Sequence, residues 1–276
     1  MTDNSQPNTL QHPEAWDLVV GIDEQRLDYI AHLPGQDGTL IQGCVPLAAH
    51  ATSPLQAVED AVYDTPLLLN DFHQVRVLLR TPRFLVLPAE TTPADAARLL
   101  ATVYPEWSGE CTVAHLKQCQ VALALETPRG LLPFVQRTFS YPVVSHPLHG
   151  LCEHCHTLCR DDGEGTSRMF VNMGKQVMDL AVFSHGQPQL INSFPCPNTD
   201  DALYYALHVW QTLGLDQQAD ELQLSGDTER CAALAAKLRQ FINFVMPASL
   251  PAAALRLGRD ATQAPLELLL MALCES

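Results

Sequence analysis

A group of cysteine and histidine residues near the middle of the chain has the spacing of a metal-binding segment. Cys152-Glu-His-Cys-His156 is a C-x-x-C-H sequence, and Cys159 follows one helical turn later. Thiolates at this spacing bind zinc or iron–sulfur clusters, and C-x-x-C-H is also the attachment sequence of c-type haem. Haem attachment requires export, and the polar stretch Met1–His12 does not predict an export signal. A zinc site would use Cys152, Cys155, Cys159 and a neighbouring histidine.

The same segment also has the periodicity of an amphipathic helix. One apolar stripe would contain Leu148, Leu151, Cys152, Cys155 and Cys159. The sequence has no second C-x-x-C pair to complete a four-ligand site. This pattern favours cysteine acting as a small apolar side chain on a buried helix face. A zinc-responsive or redox-responsive protein remains the alternative.

Two glycine-containing turns follow apolar strands in the second half of the chain. The first contains Asn172-Met173-Gly174 and Lys175, and the second contains Gly226-Asp227 before a helix that begins near Thr228. Glycine lets backbone N–H groups approach a phosphate, and Lys175 could pair with an anion. The alternatives are a tight hairpin turn with solvated side chains, with Asp179 facing solvent, and a helix cap at Asp227 or Thr228.

Charge and composition exclude several classes of function. The chain has 276 residues, 16 Lys and Arg against 31 Asp and Glu, and a net charge of −15, which opposes binding to nucleic acid. No apolar run reaches the roughly 18–20 residues of a membrane span. Nine cysteines without a disulfide-like spacing fit a reducing compartment. We therefore expect a soluble cytoplasmic protein.

Hydrophobic periodicity predicts a duplicated α/β architecture. Three strands over Trp16–Ile22, Leu27–Leu33 and Thr39–Val45 are matched by three over Arg168–Gly174, Gln176–Ser184 and Gln189–Phe194. If an insert near 75–116 is set aside, both halves have the order β-β-β-α-β-α-β-α. We expect a disordered tail over 1–13, a first domain over 14–160 and a second over 168–276, with a polar linker between them.

This element order resembles that of actin-like ATPases, Hsp70 chaperones and sugar kinases. More specifically, the sequence is similar to a bacterial family of unknown function with an actin-like ATPase fold. The likeness is carried by Asn192-Ser-Phe194, Thr199-Asp-Asp-Ala-Leu-Tyr-Tyr-Ala-Leu207, Trp210-Gln-Thr-Leu-Gly-Leu215 and Leu222-Gln-Leu-Ser-Gly-Asp227. A more distant likeness to actin-like proteins of pilus assembly and secretion depends on element order alone. The resemblance implies two RNase-H-like domains facing each other across a cleft.

In the class that the chain resembles, the first phosphate-binding turn of the second half reads Asp-x-Gly, and the later loop of that half reads Gly-Gly. Here they read Asn172-Met-Gly174 and Gly226-Asp227, and the first hairpin reads Gly21-Ile-Asp23 at the matching place. The resemblance therefore implies a degenerate nucleotide site, no catalytic residues and no bound cofactor, in a pseudo-ATPase scaffold that acts through protein contacts. The alternative is a weak ATP-binding protein or ATPase that uses ATP with Mg²⁺ at Asn172, Gly174, Lys175, Gly226 and Asp227. The apolar segment Pro265–Cys274 would pack on a domain or form a homodimer.

Overall fold

The computed structural model describes residues 10–161, 167–248 and 250–274, and these residues form alternating strands and helices. The strands are β1 (Asp17–Ile22), β2 (Arg26–His32), β3 (Ile41–Pro46), β4 (Gln74–Leu79), β5 (Phe84–Pro88), β6 (Glu110–Leu116), β7 (Val121–Thr127), β8 (Val143–Ser145), β9 (Arg168–Met173), β10 (Val177–Ser184), β11 (Gln187–Pro195), β12 (Glu221–Gly226) and β13 (Phe244–Pro247). The helices are α1 (Pro54–Tyr63), α2 (Pro93–Val103), α3 (Leu131–Thr138), α4 (Leu148–Asp161), α5 (Thr199–Thr212), α6 (Thr228–Leu238), α7 (Ala252–Arg256) and α8 (Leu266–Leu273).

Two five-stranded sheets have the same strand order. The first is β3-β2-β1-β4-β8 and the second is β11-β10-β9-β12-β13. In each sheet the first three strands in the sequence form an antiparallel meander, the fourth pairs in parallel with the first, and the fifth pairs in parallel with the fourth. The predicted duplication is confirmed, because both meanders and both parallel additions are present.

The first unit contains residues 10–115, 122–147 and 252–274. Its main core lies between the sheet and the helices α1 and α3, where Leu18, Val58 and Phe134 are almost fully buried. The opposite face of the sheet is covered by α8, and a Cβ atom built on Gly21 would lie 3.0 Å from Leu268 Cδ2. Since both faces of the central strand β1 are buried, it has a continuous apolar run instead of strict alternation.

The second unit contains residues 116–121 and the described part of 148–251. Its core lies between the sheet and the helices α5 and α6, with Trp210 1% exposed at its centre. Leu203 and Leu207 pack against this core from the same helix face, as the periodicity of α5 predicts. Asn198 caps α5, because its side chain accepts a hydrogen bond from the backbone N–H of Asp201 at 2.9 Å.

The predicted insert near 75–116 has different bounds in the structure. Strand β4 begins at Gln74 and pairs in parallel with β1, so it belongs to the first main sheet. The added elements are β5, α2, β6 and β7, and the three strands form a separate sheet in the order β5-β7-β6. The prediction was wrong at both ends because apolar runs show that a segment is buried, but they do not show which strand it pairs with.

The compact units also differ from the predicted ranges 14–160 and 168–276. Helix α4 belongs to the second unit, where it packs against β10 and β11, and residues 252–274 belong to the first unit, where α8 packs against β1. The helix that follows the last strand of each sheet is therefore assigned to the other unit. Burial of an apolar helix face decides this assignment, and chain order does not reveal it.

The ends of the described chain are ordered by apolar contacts. Leu10 is 9% exposed within the first core, and Pro13–Ala15 form a 3₁₀ turn, so the predicted tail does not extend to residue 13; residues 1–9 lie outside the described chain. Most of the predicted polar linker, 162–166, also lies outside it. In α8, Leu268, Leu269 and Leu270 are buried within the chain. Among the described residues, no helix has the length and apolar character needed to cross a membrane.

Candidate functional site

A row of polar side chains crosses four adjacent strands of the second sheet. Strand pairing places Ser193 beside Asp179, Asp179 beside Asn172, and Asn172 beside Ser225. These four residues occupy the face opposite the α5 and α6 core, because the neighbouring residues in each strand alternate into that core. Polar residues that interrupt four apolar strands at one register position are the sequence signal for this row.

The row is hydrogen-bonded and largely withdrawn from solvent. The Ser193 hydroxyl donates to Asp179 Oδ1 at 2.6 Å, and the Ser225 hydroxyl donates to Asn172 Oδ1 at 3.1 Å. Asp179 is 2% exposed and Asn172 is 5% exposed. The expectation that Asp179 faces solvent was wrong, because packing covers both faces of this sheet and period-two alternation cannot distinguish a covered polar face from a solvated one.

The turn between β9 and β10 is held from outside by an arginine that the sequence did not single out. The N–H of Gly174 donates to the Val177 carbonyl at 2.9 Å, and Lys175 is exposed. The guanidinium of Arg230, on α6, donates to the carbonyl oxygens of Gly174, Lys175 and Cys196. Arg230 therefore fixes the turn through its acceptors. No local motif marks Arg230, because its three partners are distant in sequence.

Gly226 and Asp227 have structural roles at the start of α6. Gly226 has φ of +99°, and a Cβ atom built on it would lie 2.2 Å from the Met173 carbonyl oxygen. The backbones of β9 and β12 could not approach this closely with any other residue type. The Asp227 carboxylate accepts a hydrogen bond from the Arg230 N–H at 3.0 Å, which confirms the interpretation of Asp227 as a helix cap.

The corresponding turn of the first sheet is stabilised by its own carboxylate. Gly21 pairs with Asp28 as Asn172 pairs with Asp179, so the predicted match of the two hairpins agrees with the strand register. Asp23 Oδ1 accepts hydrogen bonds from the backbone N–H groups of Gln25 and Arg26, both at 2.7 Å. The Arg26 side chain lies 3.6 Å from the other oxygen of Asp23. An aspartate thus occupies backbone donors that an external anion would need.

The cysteines of α4 lie in a buried contact with the turn between β6 and β7. Cys152 and Cys155 are 0% exposed, and Cys119 in the turn is 2% exposed. Two hydrogen bonds, one on each side of Cys155, join the turn to α4. The Gln118 N–H donates to Glu153 Oε1 at 3.3 Å, and the Thr157 hydroxyl donates to Gln118 Oε1 at 3.2 Å. Cys119 is therefore a further thiol of this cluster, which the spacing of Cys152, Cys155 and Cys159 did not reveal.

This environment keeps the central thiol protonated. Burial raises the pKa of Cys155 well above its ordinary value, and the neighbouring thiols of Cys152, Cys159 and Cys119 raise it further. A protonated thiol is a poor nucleophile and a poor metal ligand. Within the described residues, no three side chains of His, Cys, Asp or Glu gather in an arrangement that would hold a metal ion.

Two α/β sheets with the same antiparallel meander and parallel additions define the actin-like ATPase class. A protein from Bacteroides thetaiotaomicron VPI-5482, with an actin-like ATPase fold and unknown function, matches this chain with a TM-score of 0.78 and 20% identity, over 95% of this chain and 97% of that one. The PilM–PilN type IV pilus biogenesis complex matches with a TM-score of 0.58 and 12% identity, over 95% of this chain and 100% of that one. The predicted fold of two RNase-H-like domains is confirmed.

The chain belongs to the family described as "Protein of unknown function (DUF3822)", whose sequence profile matches residues 5–245. The four segments that carried the predicted resemblance, between Asn192 and Asp227, all lie inside this range. A comparison with curated proteins gives no match. Helix α8 lies beyond the matched range.

Proposed function

We propose that this protein is a nucleotide-degenerate member of the actin-like class that acts by binding other proteins. The observation that carries the proposal is the bonding of Asp23, whose carboxylate already occupies the N–H groups of Gln25 and Arg26 in the first turn. A phosphate at this turn would have to displace that carboxylate. If the carboxylate stayed about 4 Å from a phosphate charge, the repulsion would cost on the order of 4 kcal/mol at an effective dielectric of 20.

The second turn supports the same proposal. The class places a carboxylate at Asn172 to hold a metal or its waters, but Asn172 is neutral and its side-chain oxygen accepts a hydrogen bond from Ser225. A buried amide does not supply the charge that Mg²⁺ prefers in its ligands. Asp23 and Asn172, the two residues that would have to balance the charge of MgATP, therefore already form hydrogen bonds within the protein.

A protein partner fits the molecule better than a redox role of its thiols does. A solved structure of the same fold is a complex of PilM with PilN, which provides a precedent for an actin-like domain in a protein assembly. A redox role requires a reactive thiolate, whereas burial raises the pKa of Cys155 and removes it from solvent. The cysteine cluster therefore serves packing in this proposal.

Isothermal titration calorimetry with MgATP tests the proposal directly. We expect no saturable heat at millimolar MgATP, and stabilisation well below the roughly 2.7 kcal/mol that a ligand at a hundredfold excess over its dissociation constant provides. Lys175→Gln is titrated beside the wild type, because the exposed Lys175 is the cation of the β9–β10 turn that could bind a phosphate.

A weak ATP-binding protein would give the opposite result. It requires a micromolar dissociation constant for the wild-type protein that rises in Lys175→Gln and in Asp227→Asn. That result would overturn the proposal. Gly226 is a poor position for such a test, because a side chain there would collide with the backbone of Met173 and disturb the fold itself.

A further inference from the structure

Four aromatic rings form a continuous chain that runs from the edge of the core of the second unit to its surface. Phe194 stacks on Tyr205 with ring centroids 4.6 Å apart, Tyr205 meets Tyr204 edge-on at 5.4 Å, and Tyr204 stacks on His208 at 5.7 Å. Phe194 belongs to β11, at the edge of the sheet, and the other three belong to α5. We call these four residues the aromatic ladder.

Core packing explains only the inner part of the aromatic ladder, because Phe194 and Tyr205 are half-buried and pack against the core of the second unit, whereas Tyr204 and His208 are exposed. Helix α5 buries Ala202, Ala206, Val209 and Trp210. Tyr204 is on the other side of the helix and 62% exposed. His208, four residues later, is also exposed. Exposed aromatic rings with little packing role are typical of protein interfaces, where they supply much of the binding energy.

Carboxylates extend the aromatic ladder along the same face of α5. Asp200 lies four residues before Tyr204, one helical turn away, and its side chain is 79% exposed. Asp201 is the next residue, and the segment Thr199–Thr212 contains no Lys or Arg. Lys237 of α6 forms an ion pair with Asp200, but exposed pairs of this kind contribute little and exchange readily. The face therefore combines electron-rich rings with negative charge.

This combination fits a cation that can stack. The face of a tyrosine ring attracts a guanidinium or ammonium group, and a nearby carboxylate strengthens the attraction. Arginine suits the site better than lysine, because its planar group stacks on a ring and donates to a carboxylate at the same time. The net charge of −15 favours approach of a basic partner and opposes nucleic acid.

We infer that the aromatic ladder, together with Asp200 and Asp201, is the docking site for an arginine-containing segment of a partner protein. The inference builds on the proposed function, because it names the surface and the chemistry of the partner. One arginine stacks on the exposed face of Tyr204, and a carboxylate of the first turn of α5 accepts hydrogen bonds from it.

Fluorescence anisotropy with a labelled peptide of arginine and glycine tests the inference. A matched peptide carries citrulline, the neutral and planar analogue, in place of each arginine. We expect the arginine peptide to bind and the citrulline peptide to bind much more weakly. Tyr204→Ala should weaken binding of the arginine peptide by about twofold to fivefold, the range of an exposed cation–π contact, whereas Tyr204→Phe should retain it.

Two control variants separate site binding from general attraction to an acidic protein. Tyr141→Ala removes a 92% exposed tyrosine of the first unit, and Glu90→Gln makes the same charge change as Asp200→Asn at another exposed position. We expect both controls to bind like the wild type and Asp200→Asn to bind more weakly. Equal binding by Tyr204→Ala and the wild type, equal binding of both peptides, or no binding by the wild type would each overturn the inference.

The peptide-binding result and the MgATP result test the two proposals separately. If the peptide fails to bind while MgATP also gives no heat, the docking site is wrong and the proposed function stands. If MgATP binds the wild type tightly, the proposed function fails whatever the peptide does.

Discussion

Asn172 and Asp179 lie opposite each other across the β9–β10 hairpin, and both side chains are buried. Directly opposed residues of an antiparallel pair have their Cβ atoms about 5 Å apart, where two like charges repel strongly. The neutral amide of Asn172 is therefore compatible with the carboxyl group of Asp179, whereas an aspartate at this position would need a cation. This pairing gives a physical reason for a neutral residue at position 172.

We expect Asn172→Asp to destabilise the protein by about 2 kcal/mol or more, because it places a second buried carboxylate beside Asp179. Urea denaturation at neutral pH measures this loss. The new carboxyl group should have a raised pKa, so the loss should be small in acid and grow as the pH rises through that pKa.

Asn243→Asp is the matched control, since it makes the same change at an exposed position and should alter stability little. If millimolar Mg²⁺ restored the stability of Asn172→Asp alone, the turn would contain a latent metal site. That result would support the proposal that the site has lost its nucleotide chemistry, whereas equal stability of Asn172→Asp and Asn243→Asp would contradict the repulsion between the two buried carboxyl groups.

Arg230 should stabilise the β9–β10 turn, because it donates to the carbonyl oxygens of Gly174 and Lys175 in the turn and to that of Cys196 just after β11. Arg230→Ala leaves these acceptors without the guanidinium, and we expect a loss of about 2–3 kcal/mol in the free energy of unfolding. Arg230→Lys should recover little, because an ammonium group cannot reproduce the fork of a guanidinium. Arg98→Ala, at an exposed arginine of α2, is the control. Equal stability of Arg230→Ala and Arg98→Ala would contradict the bracing role.

Gly226 is expected to be the least replaceable glycine of the second sheet. Gly226→Ala combines a positive φ with a Cβ atom 2.2 Å from the Met173 carbonyl oxygen, and it should cost roughly 2–4 kcal/mol. Gly186→Ala has a similar positive φ but nothing within 4 Å of the new Cβ atom, so about 1 kcal/mol is expected. Thermal unfolding of both variants isolates the cost of the close backbone approach. Similar losses for the two would show that φ alone decides.

His32 should make the protein less stable in mild acid. Burial lowers its pKa below the ordinary value of 6.5; Asp17 raises the pKa in part, and Arg76 lowers it further. Both ring nitrogens are buried and make no hydrogen bond within the described part of the chain. Because the folded pKa is depressed, the unfolded chain binds more protons, so stability is present above pH 6.5 and is lost as the pH falls through the folded pKa.

Urea denaturation at about pH 7.5 and about pH 5.5 measures this effect. His32→Leu should lose less stability between the two values than the wild type does. His115→Leu, at an exposed histidine, should behave like the wild type. Burial also lowers the pKa of His154 and His156, so part of the pH dependence should persist in His32→Leu. An unchanged pH dependence in His32→Leu would refute the role of His32.

Local pattern alone predicted the order of the elements. The alternation of apolar residues placed both three-stranded meanders within a few residues of their observed bounds, and the periodicity of α5 placed Leu203, Leu207 and Trp210 on the inner face. The cap of α6 at Asp227 also followed from residue type and position. These features depend on backbone geometry and on neighbours that are close in sequence, so a single chain segment contains the information.

Long-range packing decided the rest. Segments far away in the chain decided three features. They determined that β4 joins the main sheet, which sheets α4 and α8 cover, and that Asp179 is covered by protein instead of facing solvent. Arg230 holds a turn more than fifty residues before it, at Gly174. Periodicity reports that a face is buried but not what covers it, because many apolar surfaces are equivalent until the whole chain has packed.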